Sequence, residues 1–165
     1  MKTKLMIPFL LLFAACTSDR PMTDEQKAAV KEEASVVVKD FFDALIVNDI
    51  EKIMDSYEYS EDFNFVGAGD VYTSDVIAEV LSQYLPLLER QTVDLKYEQY
   101  VIVDPSCFIY TWHGSNGMYM KSGDSTIIED YFGTYGFRKH KDGWKLFFGH
   151  ESYEMPVPID TTTAG

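Results

Sequence analysis

The feature that most constrains this chain is a change of hydrophobic period near residue 90. Val30, Ala34, Val37, Phe41 and Leu45 recur at helical spacing, and Val76, Ile77, Val80, Leu81, Tyr84, Leu85 and Leu88 do so again. Val93, Leu95 and Tyr97 then alternate with Asp94, Lys96 and Glu98, the signature of a half-buried strand. Helices first and strands afterwards predict an α+β domain, its helices segregated to one face of an antiparallel sheet.

Punctuation divides the pattern into elements. Thr23-Asp24-Glu25-Gln26 forms a capping box, so a first helix is predicted over 24–47. Asn48-Asp49 closes it and opens a second helix over 49–57. Phe63 to Val66 reads as a short strand stopped by Gly67-Ala68-Gly69, with a further brief strand at Val71-Tyr72. A third helix is predicted over 74–89, and Pro86 must kink or end it near its last turn. Four strands follow, with turns at Asp104-Pro105-Ser106 and Asp142-Gly143, the latter a strong hairpin signal. Between Gly114 and Ser125 the hairpin tip is open between Asn116-Gly117 and Gly123-Asp124, and Met118 and Met120 read there as loop. Gly133 and Gly136 supply bend points in a long strand.

The N-terminal stretch carries information of another kind. Lys2 and Lys4 precede an apolar run from Leu5 to Ala15, too short to span a bilayer, and small residues end it at Cys16. Phe13-Ala14-Ala15-Cys16 resembles the lipobox of bacterial lipoproteins, with Phe13 where leucine is usual. That resemblance implies acylation at Cys16 and a membrane partner held through the lipid. It places the protein in a bacterial cell envelope, at the outer membrane or a periplasmic face. The expected division is a signal peptide over 1–15, a tether over 16–22, one domain over 23–154 and a flexible tail over 155–165.

Charge excludes some partners. The chain carries −13 at neutral pH, and the leader holds only basic charges, so the remainder is more acidic still. Phosphate backbones would repel such a body, so no nucleic acid is expected. The two cysteines are Cys16 and Cys107; with the first acylated, Cys107 has no partner and reads as a buried, inert thiol. His113, His140 and His150 lie far apart and no Cys-x-x-Cys occurs, so neither a metal nor any other cofactor is expected.

The element order, Asn48-Asp49 at the second helix, the run Tyr135-Gly136-Phe137-Arg138-Lys139-His140-Lys141-Asp142-Gly143-Trp144-Lys145-Leu146, and His150-Glu151-Ser152 together resemble the nuclear transport factor 2-like superfamily. They are most similar to its SnoaL-like branch. The resemblance implies a cone-shaped, strongly bent antiparallel sheet with three N-terminal helices packed on its concave face and an apolar cavity within. It also implies a homodimer through the outer face of the sheet, where Phe147, Phe132 and Tyr100 are expected. Steroid isomerases of this superfamily use a carboxylate base after the first strand. The matching stretch here, Phe65-Val66-Gly67-Ala68-Gly69, has no acid; Asp70 comes later, beside Tyr72.

Two faces hold the candidate site residues. On the last strand Trp144, Leu146, Phe148 and His150 share one face by strict alternation, and Lys145, Phe147 and Glu151 share the other. His150, at the end of the apolar row, reads first as a histidine bonded to a neighbouring strand or to Ser152, and otherwise as a catalytic base. Tyr57, Tyr72, Trp112, Tyr131, Tyr135 and Trp144 would line a ligand cavity, or else pack a core. The expected function is an envelope-anchored lipoprotein whose cone binds a small apolar ligand or a protein partner. The alternative is a proton-transfer isomerase, dehydratase or cyclase acting on a small cyclic substrate, with His150 as base and Tyr72 or Tyr135 as donor.

Overall fold

The computed structural model describes residues 21–67 and 69–154. Cys16 and the tail over 155–165 lie outside them. Helix α1 spans Asp24–Val47, α2 Ile50–Asp55 and α3 Ser74–Tyr84. The strands are β1 Asn64–Gly67, β2 Asp70–Tyr72, β3 Leu88–Asp104, β4 Cys107–Met120, β5 Ser125–His140 and β6 Gly143–Ser152. They form one curved, unclosed sheet in the order β2-β1-β6-β5-β4-β3.

Local chemistry sets the helix ends. Thr23 Oγ1 accepts from the Gln26 amide while Gln26 Oε1 accepts from the Thr23 amide, closing the capping box. Asn48 ends α1 in the left-handed region at φ 54°. Its Nδ2 donates to the carbonyls of Leu85 and Leu88 (2.8 and 3.1 Å), tying that end to the entry of β3. Asp49 then caps α2 through the Lys52 amide. α2 and α3 are each shorter than predicted. Pro86 has no N–H to continue α3, so the chain tightens into a 3-10 turn over Leu85–Leu87 and enters β3 at once.

Three sequence expectations need correction in the sheet. It is not wholly antiparallel: β1 runs parallel to β6, pairing Phe65 with Gly149 and Val66 with His150. Residues 114–120 are strand, not loop, because β4 continues to Met120 and the turn falls at Gly123, whose φ of +96° suits glycine. Finally, Tyr100 faces inward, packing on Phe108 and Tyr110 at 6.5 and 4.9 Å, so it cannot belong to an outer dimer face. Phe147 is half-buried there under the Arg138 guanidinium, and Phe132 is exposed.

The core lies between α1 and the inner sheet face. Phe41 and Phe42 of α1 meet Tyr135, Phe137, Tyr110 and Trp112 edge-on, with centroids 5.3–6.2 Å apart. Phe108 stacks on Phe137 at 4.9 Å. Edge and offset contacts of this kind add to what burial alone contributes. Trp112 reaches its place only because residue 133 is glycine: a Cβ there would lie 2.2 Å from the indole nitrogen.

Candidate ligand cavity

One irregularity decides which side chains face inward on β6. Phe137 pairs with Leu146 but Gly136 pairs with Phe148, so Phe147 is an extra residue in β6. Such a bulge reverses the alternation beyond it. Leu146 is fully buried, but past the bulge Gly149 and Glu151 take the inner face, and His150 turns out to solvent. The base expected at His150 is therefore misplaced. The group that reaches the interior is Glu151.

Glu151 borders a half-open cavity of about 350 Å³ between α1, α3 and the inner sheet face. That volume is within the range of small-molecule sites. Leu45, Ile77, Leu81, Val93 and Ile128 make aliphatic wall, and Met118, read from sequence as loop, is a wall residue whose sulfur accepts from the Tyr84 hydroxyl. Of the six aromatic residues expected at a ligand site, Tyr57, Tyr72, Trp112, Tyr131 and Tyr135 border this cavity. Trp144 does not. It packs outside, 4.9 Å from Phe108, and its Nε1 donates to Glu33 (3.3 Å).

The Tyr135 hydroxyl donates to Glu151 Oε1 at 2.7 Å. Gly67 faces the other oxygen, and a Cβ there would stand 3.7 Å from Oε2. Burial pushes the Glu151 carboxyl above the ordinary carboxylate range, against the neighbouring Tyr131 and Tyr135 hydroxyls and His150, which act the other way. Burial likewise raises Tyr57, Tyr131 and Tyr135, with the Glu151 charge adding to it. Two more polar atoms of cavity residues, Trp112 Nε1 and Asn116 Oδ1, are buried without a hydrogen-bond partner among the described residues. Groups left in that condition cost stability unless something pairs them.

The sign of the Glu151 effect follows from its direction. A carboxyl held up in the folded state binds its proton more tightly there than when unfolded. Stability is therefore greatest below the ordinary carboxylate value and declines as pH rises through the elevated one. At neutral pH this residue weakens the fold.

Comparison with known proteins bears on the fold. No protein-family model matches the chain, and no curated protein matches its sequence. Solved structures do match. A nuclear transport factor 2-like superfamily protein from Salmonella enterica is 12% identical with a TM-score of 0.65, over 82% of this chain and 98% of its own. This chain has the nuclear transport factor 2-like fold. A candidate scytalone dehydratase from Novosphingobium aromaticivorans shares that fold at 11% identity and a TM-score of 0.68, over 83% of this chain and 92% of its own. A hexachlorocyclohexane dehydrochlorinase from Novosphingobium barchaimii shares it at 10% identity and a TM-score of 0.63, over 84% and 96%. Identities this low speak for architecture alone, and nuclear transport factor 2-like folds carry unrelated activities.

Proposed function

We propose that the sheet and helices form a cone whose cavity binds a small, largely apolar molecule, held at one end by Glu151 and Tyr135. The observation that carries this reading is the open volume of about 350 Å³ with the Glu151 carboxyl, and the Tyr135 hydroxyl bonded to it, on its wall. Trp144 does not fill that volume, and the tyrosines line it without closing it. A destabilising carboxyl in such a place is the expected trade of stability for function.

The test uses a neutral fluorescent probe, N-phenyl-1-naphthylamine, titrated into the protein. The probe should brighten on binding with a dissociation constant in the micromolar range, and Val93→Trp, which fills the cavity from β3, should weaken it at least about tenfold. Equal binding by both proteins would reject the cavity as the site. In parallel, Glu151→Gln keeps the acceptor for Tyr135 and removes the charge. It should raise the melting temperature by about 2–4 °C near pH 8 and by little near pH 4. A loss of stability at pH 8 would contradict the assignment of Glu151 as a strained functional group.

A proton-transfer enzyme is the second reading, favoured by one specific observation. Glu151 is a carboxyl held above the ordinary carboxylate range by burial, with a tyrosine hydroxyl 2.7 Å away, a base and a donor on the wall of an apolar cavity. The dehydratase and dehydrochlorinase that share the fold fit this reading too. Its base is Glu151 and not His150.

The same proposal includes the membrane. Cys16, preceded by a lipobox-like sequence, is taken to carry the lipid that anchors the domain in a bacterial envelope. One chain alone gives only marginal anchoring, so stable attachment needs at least two. Cys16→Ala should move the protein from the membrane to the soluble fraction, and retention in the membrane would refute the anchor.

A further inference from the structure

Resting on the binding reading above, we propose that the cavity selects a small organic cation, an amine or quaternary ammonium on an apolar body, with Glu151 as its counter-charge. Among the described residues that border the cavity, Glu151 is the one carboxylate, and no lysine, arginine or histidine stands with it. An anionic ligand would be repelled there. A neutral ligand would leave the carboxylate with hydroxyl donors but no counter-charge. A cation removes the penalty, because an opposite charge within a few ångströms favours the ionised form.

The walls favour the same class of ligand. Trp112 stacks on Tyr131 at 5.1 Å, and Tyr131 on Tyr153 at 4.8 Å, so Tyr131 is covered on both faces and the row beside the carboxyl offers the cavity its ring edges, its hydroxyls and the outer rings. Phe65 and Tyr72, 6.4 Å apart, add a second patch of rings. All five residues border the cavity. Aromatic faces around a single acid are the usual means of holding an ammonium group, through attraction to the ring quadrupoles. Asn116 Oδ1, buried and without a partner among the described residues, is a further acceptor for an N–H of the ligand. The acidity of the whole chain raises the local concentration of cations and lowers that of anions.

Binding should also be linked to protons. Burial makes the Glu151 carboxyl hold its proton more readily than an exposed one, and a bound cation favours its release. The other titratable groups around it are Tyr57 beyond α2, Tyr131 and Tyr135 on β5, and Tyr153 after β6. All four are pushed above the ordinary tyrosine range and stay neutral, while His150 lies next to it on the outer face. Affinity for a cation should thus rise with pH through the range where Glu151 ionises and then level off.

The experiment compares benzyltrimethylammonium with neopentylbenzene, its neutral isostere, as competitors of N-phenyl-1-naphthylamine in the full domain. The cation should compete at least about tenfold better at pH 8. Glu151→Gln should weaken the cation about tenfold and change the neutral isostere less than about threefold. Calorimetry of the cation in buffers of different ionisation enthalpy should show proton release with the wild type and none with Glu151→Gln. If the neutral isostere competes equally well, or Glu151→Gln weakens both alike, the cation assignment is wrong while the cavity reading stands. If the probe itself does not bind, both fall.

Discussion

Phe108→Ala is expected to cost about 3–5 kcal/mol of folding stability, a loss in the top range for a single buried side chain. Phe108 is fully buried near the start of β4 and touches three rings at once: Phe137 stacked at 4.9 Å, Trp144 edge-on at 4.9 Å and Tyr100 at 6.5 Å. The neighbours stand on β5, β6 and β3, so the vacated space cannot be closed by a shift of one element. Both transfer and cavity contributions therefore apply in full. A native domain has only about 5–15 kcal/mol in hand, so the variant should unfold at a much lower urea concentration. Urea unfolding followed by tryptophan fluorescence measures this, with the slope on denaturant unchanged if the native state survives. A loss below about 1 kcal/mol would mean that the sheet repacks freely, and the tight aromatic core described here would not hold. Phe108 lies outside the ligand cavity, so any variant that still folds should bind the neutral probe normally.

Most of the architecture was legible because it rests on local chemistry. The Thr23–Gln26 box, the left-handed Asn48, Pro86 and Gly143 each act within a few residues of themselves, and each stands where its neighbours in sequence require. The site was much less legible. Strict alternation along β6 puts His150 on the face of Leu146, and Glu151 opposite. One inserted residue, Phe147, exchanges them. Nothing in the run Leu146-Phe147-Phe148-Gly149 reports the bulge, because it arises where Phe147 covers the outer face of Gly136 on the neighbouring strand. The only available signal was Gly149, since a glycine inside a strand often marks irregular pairing or close approach. Here it makes room for Phe65 of β1, whose ring would lie 2.2 Å from a Cβ. Trp144 failed for a related reason. It precedes the bulge and does face inward, but at the end of the sheet that α1 and Glu33 already cover, away from the cavity. The tyrosines were found because Tyr131 and Tyr135 share a strand face with no bulge between them.

The second large effect concerns Glu58, whose cluster holds the α2–β1 connection, the arm that leads into β1, against the β5–β6 hairpin. Its side chain is only 8% exposed, yet it lies on the connection before β1. Arg138 Nη1 donates to Oε1 at 3.1 Å, Ser60 Oγ donates to the same oxygen at 2.7 Å, and His140 Nε2 donates to Oε2 at 2.8 Å. The Glu58 amide also bonds the Leu146 carbonyl, so the cluster pins this connection to the β5–β6 hairpin. Burial alone would push the carboxyl up. The bonds from Ser60 and His140 and the Arg138 charge outweigh it, and the net result lies below the ordinary range. A carboxyl lowered by folding contributes stability that is present above its unfolded value, near pH 4, and is lost as pH falls through the lower folded one. Glu58→Ala should therefore cost about 3 kcal/mol at pH 7, toward the low end for a broken buried ion pair because Arg138 and His140 keep partial access to water. The deficit should shrink as pH is lowered from about 5 to 2, where the wild type loses the same contribution. Urea midpoints of wild type and variant across that range decide the matter. A deficit constant in pH would mean that packing, and not the charge cluster, ties the arm to the hairpin.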